Sequence, residues 1–155
     1  MYSSEYRIEK DRVAVVVTTL DGERLAGDLF VQPYTRFRMG REQAPDLLNA
    51  AEPFFPLGTD DATQLLAKDN VREVEVPADE RDDVASHPGA RATEIEVVLA
   101  GGVVRSGLVL VEAPSDRPRL LDFLNRLESR FLTLYSPDGV RLLNRRFIER
   151  VRPLD

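Results

Sequence analysis

Residues 122–125 read Asp-Phe-Leu-Asn, and residues 46–49 read Asp-Leu-Leu-Asn. In both places a phenylalanine follows the asparagine by six positions, at Phe131 and Phe55. An apolar leucine pair and a closing pattern of two apolar residues three positions apart come next in each case. The chain is therefore predicted to contain one small unit written twice.

The repeat divides the chain of 155 residues into three parts. The first copy covers residues 12–77 and the second covers residues 92–154. Between them, residues 78–91 have almost no large apolar side chain and are rich in acidic residues, which predicts a linker. The single histidine, His87, lies in that stretch, and without cysteine or a second histidine we interpret it as a solvated linker residue rather than a metal ligand.

Each copy opens with a predicted β-hairpin. Residues 13–32 contain two runs rich in β-branched and apolar residues, and Asp21-Gly22 between them suits a two-residue turn. The second copy repeats this pattern 80 positions later, with Gly101-Gly102 at the turn. Gly27 and Gly107 fall inside the returning strands, where glycine indicates a bend or a close backbone approach.

A helix and further strands follow the hairpin. In the second copy Pro118 suits a first helical turn, and Leu120, Leu124 and Leu127 recur on one helical face. Two or three closing strands come next in each copy. The pattern predicts a mainly β fold, α+β by content, in which each copy has the order β-β-α-β-β with an optional last strand.

Four polar residues recur at equivalent positions of the two predicted helices, namely Asp46 with Asp122 and Asn49 with Asn125. An aspartate in the first turn complements the helix dipole, and an asparagine near the end can terminate a helix. Both are needed in each copy merely to build the fold. We therefore interpret all four residues as structural rather than functional.

The closing run at residues 142–151 reads Leu-Leu-Asn-Arg-Arg-Phe-Ile-Glu-Arg-Val. With the hairpin, the glycine-bent strand and the helix before it, this run resembles the small five-stranded barrels of the SH3-like and Sm-like type, and it is similar to an uncharacterised bacterial group of such barrels. The resemblance implies two tandem barrels related by a pseudo-twofold. Sm proteins place a helix before the first strand and an Arg-Gly turn near the end. Neither is present, so the resemblance does not support Sm-type ring assembly or RNA binding.

Composition excludes several classes of function. With 43% hydrophobic and 31% charged residues, no apolar run of the ~20 residues that a membrane span needs and a polar beginning, the chain is predicted to be globular and cytoplasmic. The absence of cysteine excludes disulfides and thiol nucleophiles. No nucleophile elbow or phosphate-binding glycine loop is present, so we expect a non-enzyme without a cofactor or metal. A hydrolase is kept only as a remote third hypothesis, and Asp60-Asp61 is interpreted as a turn.

Two basic stretches are candidate binding sites. The first is the run at residues 36–41, where arginines alternate with a phenylalanine and a methionine, residue types that are enriched at protein interfaces. The second is the arginine-rich end of the second copy, which also contains Arg141 and Arg152. The candidate binding residues are Arg36, Phe37, Arg38 and Arg41 in the first stretch, and Arg145, Arg146 and Arg150 in the second.

The charge balance favours a protein partner. The net charge of −6 argues against non-specific binding of nucleic acid. Residues 1–91 carry a net charge of −7 and the remainder a net charge of +1, so the basic second copy can meet an acidic partner or the acidic part of a second copy of the chain. The sequence predicts a non-enzymatic regulatory or scaffolding module that binds a protein or itself. The alternative is that the arginines of the second copy bind RNA or a phosphate-bearing ligand.

Overall fold

The protein folds into a mainly β structure, described by a computed structural model for residues 11–32, 42–77, 91–111 and 120–154. The first half contains β1 (Asp11–Thr19), β2 (Arg24–Val31), α1 (Ala44–Asn49), β3 (Phe54–Gly58), β4 (Thr63–Ala67), a 3-10 turn (Lys68–Asn70) and β5 (Val71–Pro77). The second half contains β6 (Arg91–Leu99), β7 (Val103–Val111), α2 (Leu120–Arg126), β8 (Phe131–Ser136), β9 (Gly139–Asn144), a 3-10 turn (Arg145–Phe147) and β10 (Ile148–Pro153).

The two predicted hairpins are confirmed. β1 pairs with β2 and β6 pairs with β7, both antiparallel. Gly22 has φ of 89°, and Gly101 and Gly102 have φ of 85° and 79°, backbone angles that glycine adopts more readily than any other residue. The turn glycines therefore fix the register of both hairpins. The predicted linker of residues 78–91 lies outside the described residues except for Arg91, which begins β6.

The ten strands of the described ranges belong to one antiparallel sheet, in the order β10-β6-β7-β8-β9-β5-β1-β2-β3-β4. Each half contributes its strands in the same order: its fifth, first, second, third and fourth. The expectation of small barrels is corrected to this extent: the sheet is open, since the fourth strand of a half does not pair with the fifth strand of that half. Instead β9 pairs with β5, so the sheet continues from one half into the other.

The pairing register recurs in the two halves. Leu108 lies opposite Tyr135 where Asp28 lies opposite Gly58. The pairings of β1 with β5 and of β6 with β10 share an irregularity in which one residue of the last strand, Arg72 or Glu149, is skipped. β1 and β6 also enter these pairings at positions that lie 80 residues apart.

Gly27 and Gly107 mark a close approach of two strands, as the sequence predicted. A Cβ atom on Gly27 would lie 2.6 Å from the carbonyl oxygen of Gly58, and a Cβ atom on Gly107 would lie 2.6 Å from the carbonyl oxygen of Tyr135. Both contacts are to backbone, which cannot rotate away. Glycine at these positions lets the third strand of each half cross close over the second, and this curls the sheet.

Each half has its own hydrophobic core inside the curled sheet. The first core contains buried residues of β1, β2, α1, β3 and β5, including Val17, Leu48 and Val74. The second contains buried residues of β6, β7, β8 and β9, including Val97 and Leu143. The helices differ in burial: α1 buries Ala44 and Leu48, whereas α2 has no fully buried residue. The second core is therefore less covered on the side where its helix lies.

Asp46 lies in the first turn of helix α1, as the sequence predicted. Pro45 lies in its first turn, and the backbone N–H of Gln43 donates to Asp46 Oδ2 at 2.9 Å. This bond supplies a partner for a backbone group at the helix start and places a carboxylate at the positive end of the helix dipole. In the described ranges, α1 and α2 both lack the length and the apolar character that a membrane crossing requires.

We expect Gly107→Ala to destabilise the fold by about 1–3 kcal/mol, because the new methyl group meets the Tyr135 carbonyl and strands must separate to accommodate it. Ser106→Ala, on the exposed face of the same strand, is the matched control and should change stability little. Urea unfolding followed by circular dichroism measures both. Equal stabilities of the two variants would contradict the close approach.

Candidate protein-binding edges of the sheet

The junction between the halves is the ladder formed by β5 and β9. Val74 lies opposite Leu142, Glu75 lies opposite Arg141, and the ladder ends at Pro77 opposite Gly139. At the junction, the fifth strand of one half pairs with the fourth strand of the other half. The junction therefore provides the reference for the two edges of the sheet that pair with no described strand.

Two side chains of the second half complete the first core. Phe131, from the start of β8, and Leu142, from β9, belong to the first core and are 1% and 0% exposed. The backbone N–H of Phe131 donates to Asn49 Oδ1 at 2.7 Å, at the end of α1. Asn49 therefore joins the two halves, a role that the sequence interpretation of Asn49 as a helix terminator missed.

A buried carboxylate lies at the centre of the junction. Glu73 is 0% exposed, and its oxygens accept from Arg105 Nε at 2.7 Å, Arg105 Nη2 at 3.0 Å and Arg141 Nη1 at 2.9 Å. Arg72 Nε donates to Glu73 at 3.3 Å. In a flat sheet β7 and β5 would lie about 14 Å apart, so the contact of Arg105 with Glu73 also requires the sheet to curl.

Glu75 extends this ionic network toward the surface. Arg141 Nη1 donates to Glu75 Oε1 at 2.7 Å, and the Arg24 guanidinium lies 3.4 Å from Glu75 Oε2. Burial alone would raise the pKa of Glu75. The hydrogen bonds and positive charges of Arg141 and Arg24 together outweigh burial and hold this pKa below its ordinary value. The charged form of Glu75 therefore stabilises the junction.

The ends of both helices are held by equivalent cations. Lys68 is buried, and its Nζ donates to the carbonyl oxygens of Leu47 at 3.1 Å and Ala50 at 3.0 Å. Arg145, 77 positions later, donates in the same way to the carbonyl oxygen of Leu127. Burial lowers the pKa of the Lys68 ammonium, the charge of Arg130 lowers it further, and the Glu52 carboxylate partly opposes both.

One free edge of the sheet is formed by β4 with Phe54 at the start of β3, and we name it the β4 edge. Leu65 and Phe54 are 71% and 58% exposed. The strand pairing makes them the counterparts, 77 positions earlier, of Leu142 and Phe131, the two residues that enter the first core. The sequence comparison, which aligned Phe131 with Phe55, was therefore wrong by one position in this strand. Side chains that are buried at the junction are thus presented to solvent at this edge.

The other free edge is formed by β10 with α2, and we name it the β10 edge. Leu124 and Val151 are only partly buried against the second core, whereas their counterparts Leu48 and Val74 are fully buried in the first. Among the described residues, every side chain of the second core comes from the second half itself, whereas the first core also receives Phe131 and Leu142 from the other half. The second core is therefore open at this edge.

The structure places the predicted binding residues as follows. Arg36, Phe37, Arg38 and Arg41 lie outside the described residues. The three predicted residues of the second half lie on or beside the β10 edge, where Arg145 holds the end of α2 and Arg146 lies 6.0 Å from the ring of Phe147. Arg150 is exposed on β10 itself.

The acidic turn carries no sign of a metal site. Residues 59–62 form a turn in which the Thr59 N–H and hydroxyl donate to the Ala62 carbonyl oxygen at 2.8 and 2.9 Å. Asp60 and Asp61 are both exposed in this turn, which confirms its interpretation from the sequence. Within the described ranges, no three acidic or histidine side chains are grouped so that they could hold a metal ion.

Comparison of the chain with protein-family models, with curated proteins and with solved structures found no match. The geometry of the two edges and of the junction between the halves is therefore what bears on function.

We expect Glu73→Ala to lower the free energy of unfolding by about 3 kcal/mol, because it leaves the guanidiniums of Arg105 and Arg141 without their buried partner. Glu96→Ala removes a carboxylate of the same type from a surface pair with Arg152 and should cost less than about 1 kcal/mol. Chemical unfolding of both variants provides the comparison. A cost for Glu73→Ala no larger than that for Glu96→Ala would show that the network does not hold the halves together.

The lowered pKa of Glu75 predicts a pH dependence. Its contribution to stability is fully present above its ordinary pKa of 4.5 and is lost as the pH falls through the lower pKa of the folded state. The difference in unfolding free energy between the wild type and Glu75→Gln should therefore be constant near neutral pH and shrink as the pH falls below 4.5. Glu149→Gln, at an exposed carboxylate, is the control. A difference that persists undiminished at the acidic end would contradict the assignment.

Proposed function

We propose that each half is a copy of one SH3/Sm-like barrel unit left open between its fourth and fifth strands, and that the whole protein is a non-enzymatic scaffolding module. The shared strand order, the repeated register and the equivalent glycine contacts support the common unit. In this proposal the module binds another protein chain at the β10 edge by strand addition, in which an extended segment adds to an exposed sheet edge through main-chain hydrogen bonds.

The incomplete second core is the observation that carries this proposal. The first core is closed by Phe131 and Leu142, which come from β8 and β9 of the second half. The second core has the same helix and the same last strand, but its Leu124, Ile148 and Val151 remain partly exposed. A strand that brings an apolar side chain to each of these positions would bury them, and apolar burial is the main favourable term in protein association.

Edge strands with unpaired backbone groups are templates for pairing, and proteins usually blunt them with charge or proline. β10 carries Arg150 and Arg152 and ends at Pro153. These residues discourage pairing with most strands and favour a strand of opposite charge. An incoming segment flanked by acidic residues fits this edge. The stretch of sequence that contains Arg36, Phe37, Arg38 and Arg41 stays a second predicted contact with the partner.

RNA or a phosphate-bearing ligand is the alternative occupant of the arginines. Several arginines of the second half are already engaged by carboxylates: Arg105 and Arg141 by Glu73, Arg130 by Asp69, and Arg152 by Glu96. A phosphate at any of these four arginines would have to displace a carboxylate, which disfavours phosphate binding there. Arg145, Arg146 and Arg150 are exposed and are the positions at which the alternative is tested. Ionic strength separates the two, because phosphate binding weakens steeply and log-linearly with salt.

The experiment is affinity purification from native cells with the tagged full chain, the variant Asn125→Leu and the control Leu20→Asp. Asn125 is exposed at the end of α2, where its counterpart Asn49 accepts from the backbone of the strand that closes the first core. Leu20 is exposed just after β1 and belongs to neither edge. We expect the same captured protein with wild type and control, and a loss of about tenfold with Asn125→Leu, the effect of one typical hydrogen bond.

Two outcomes oppose the proposal. Capture that is unchanged in Asn125→Leu would place the binding surface elsewhere on the molecule. Capture that is abolished by nuclease treatment, or that falls log-linearly with salt, would favour the phosphate-binding alternative.

A further inference from the structure

We propose that the partner of the β10 edge is the β4 edge of a second copy of this chain, so that copies associate head to tail. This inference rests on the proposed function, because it names the occupant of the same edge. The contact would repeat between chains the junction that β5 and β9 form within one chain. Four observations on the described residues support it.

The first observation is the register. Within the chain Val74 lies opposite Leu142, and the residues 77 positions away from each are Val151 on β10 and Leu65 on β4. Pairing the free edges in the same register therefore places Leu65 of one copy opposite Val151 of the next. β5 and β10 also pair with their first strands in the same register and with the same skipped residue. β4 pairs with β3 in the register in which β9 pairs with β8, so the backbones of both edges match the strands that form the junction.

The second observation is the match of exposed and missing side chains. The β4 edge exposes Phe54 and Leu65, whose counterparts fill the first core. The β10 edge has a core that lacks those two side chains. Pairing of the two edges would therefore bury Phe54 and Leu65 of one copy and cover the second core of the other copy. Pairing of two β4 edges or of two β10 edges would leave the second core open.

The third observation concerns a polar contact at the helix end. Asn49 accepts the backbone N–H of Phe131 at 2.7 Å, and this bond fixes the strand against α1. Asn125 occupies the equivalent position of α2 and is exposed. In the proposed contact Asn125 accepts the backbone N–H of Phe54 of the second copy. The recurrence of this asparagine in both halves is then explained by the same contact made twice.

The fourth observation is charge. The β4 edge is flanked by exposed acidic residues, and the β10 edge carries exposed basic ones, so opposite charges meet when the edges approach. The acidic residues are Glu52, Asp60 and Asp61. The basic residues are Arg146, Arg150 and Arg152, the last of which is paired with Glu96, and they outnumber the exposed acidic residues of the β10 edge, Asp122 and Glu149.

One part of the junction is not repeated. Gln64 stands on β4 where Arg141 stands on β9, and Arg150 stands on β10 where the buried Glu73 stands on β5. The contact between copies therefore has the apolar and backbone parts of the junction without its buried ionic network. We expect it to be weaker than the junction within the chain and reversible on dilution. Because the two surfaces differ, the contact is heterologous. It gives a closed ring if the rotation from one copy to the next returns to the first copy, and an open chain of copies if it does not.

The test uses two single-edge variants of the full chain. Leu65→Asp blocks the β4 edge at a side chain that is exposed in the folded monomer, and Asn125→Arg blocks the β10 edge at another exposed residue. Leu20→Asp is the control. Circular dichroism and thermal unfolding verify that all variants fold. Sedimentation equilibrium at rising concentration then gives the mass of each variant alone and of the two edge variants mixed in equal amounts.

We expect wild type and Leu20→Asp to exceed the monomer mass of 17.5 kDa with rising concentration, and each edge variant alone to remain a monomer. The mixture of Leu65→Asp with Asn125→Arg should form a one-to-one dimer that grows no further, because it retains one working pair of edges. Asn125→Asp keeps an acceptor oxygen and should associate within a few-fold of wild type, whereas Asn125→Leu should associate about tenfold more weakly.

A wild type that stays monomeric at every concentration would overturn the inference. So would a dimer that survives either edge substitution alone, since that result indicates a symmetric contact. If the wild type does not self-associate but captures a different protein in a way that depends on Asn125, this inference is overturned and the proposed function stands. If self-association is unchanged by both substitutions and no capture depends on Asn125, both this inference and the proposed function are contradicted.

Discussion

The pairing of β5 with β9 is the contact on which the rest of the structure depends. It joins ten strands into one sheet, and it brings Phe131 and Leu142 of the second half into the core of the first. Because a carboxylate cannot be buried without compensation, the same pairing must bring Arg105 and Arg141 to Glu73. Backbone pairing, apolar burial and charge neutralisation therefore all occur at this junction, the seam between the two halves.

Charge at this seam selects which strands pair. Glu73 and Glu75 lie on β5, whereas the equivalent positions of β10 carry Arg150 and Arg152. Arg141 on β9 is attracted to the first pair and repelled by the second, so β9 pairs with β5 and not with the last strand of its own half. The two halves thus use nearly the same backbone with opposite charges, and this difference favours the pairing of β9 with β5 over a pairing of β9 with β10.

The local elements could be predicted from the sequence because their signals are local. Asp21-Gly22 predicts a hairpin from backbone angles alone, and Gly27 with Gly107 predicts a close approach of strands. Asn49 and Glu73 were not predictable in the same way, because their partners lie 82 and 32 residues away along the chain. The exchange of acidic for basic residues at equivalent strand positions was visible in the sequence, and it is the signal that could have predicted the seam.

The burial of Lys68 has a consequence for chemical labelling of the protein. The chain has only two lysines, Lys10 and Lys68, and the Lys68 amine is enclosed between the end of α1 and the 3-10 turn. An acylating reagent can reach this amine only when the helix end separates from the turn. The rate at which Lys68 is acylated therefore reports how often the first core opens beside α1, from a single site in an otherwise intact molecule.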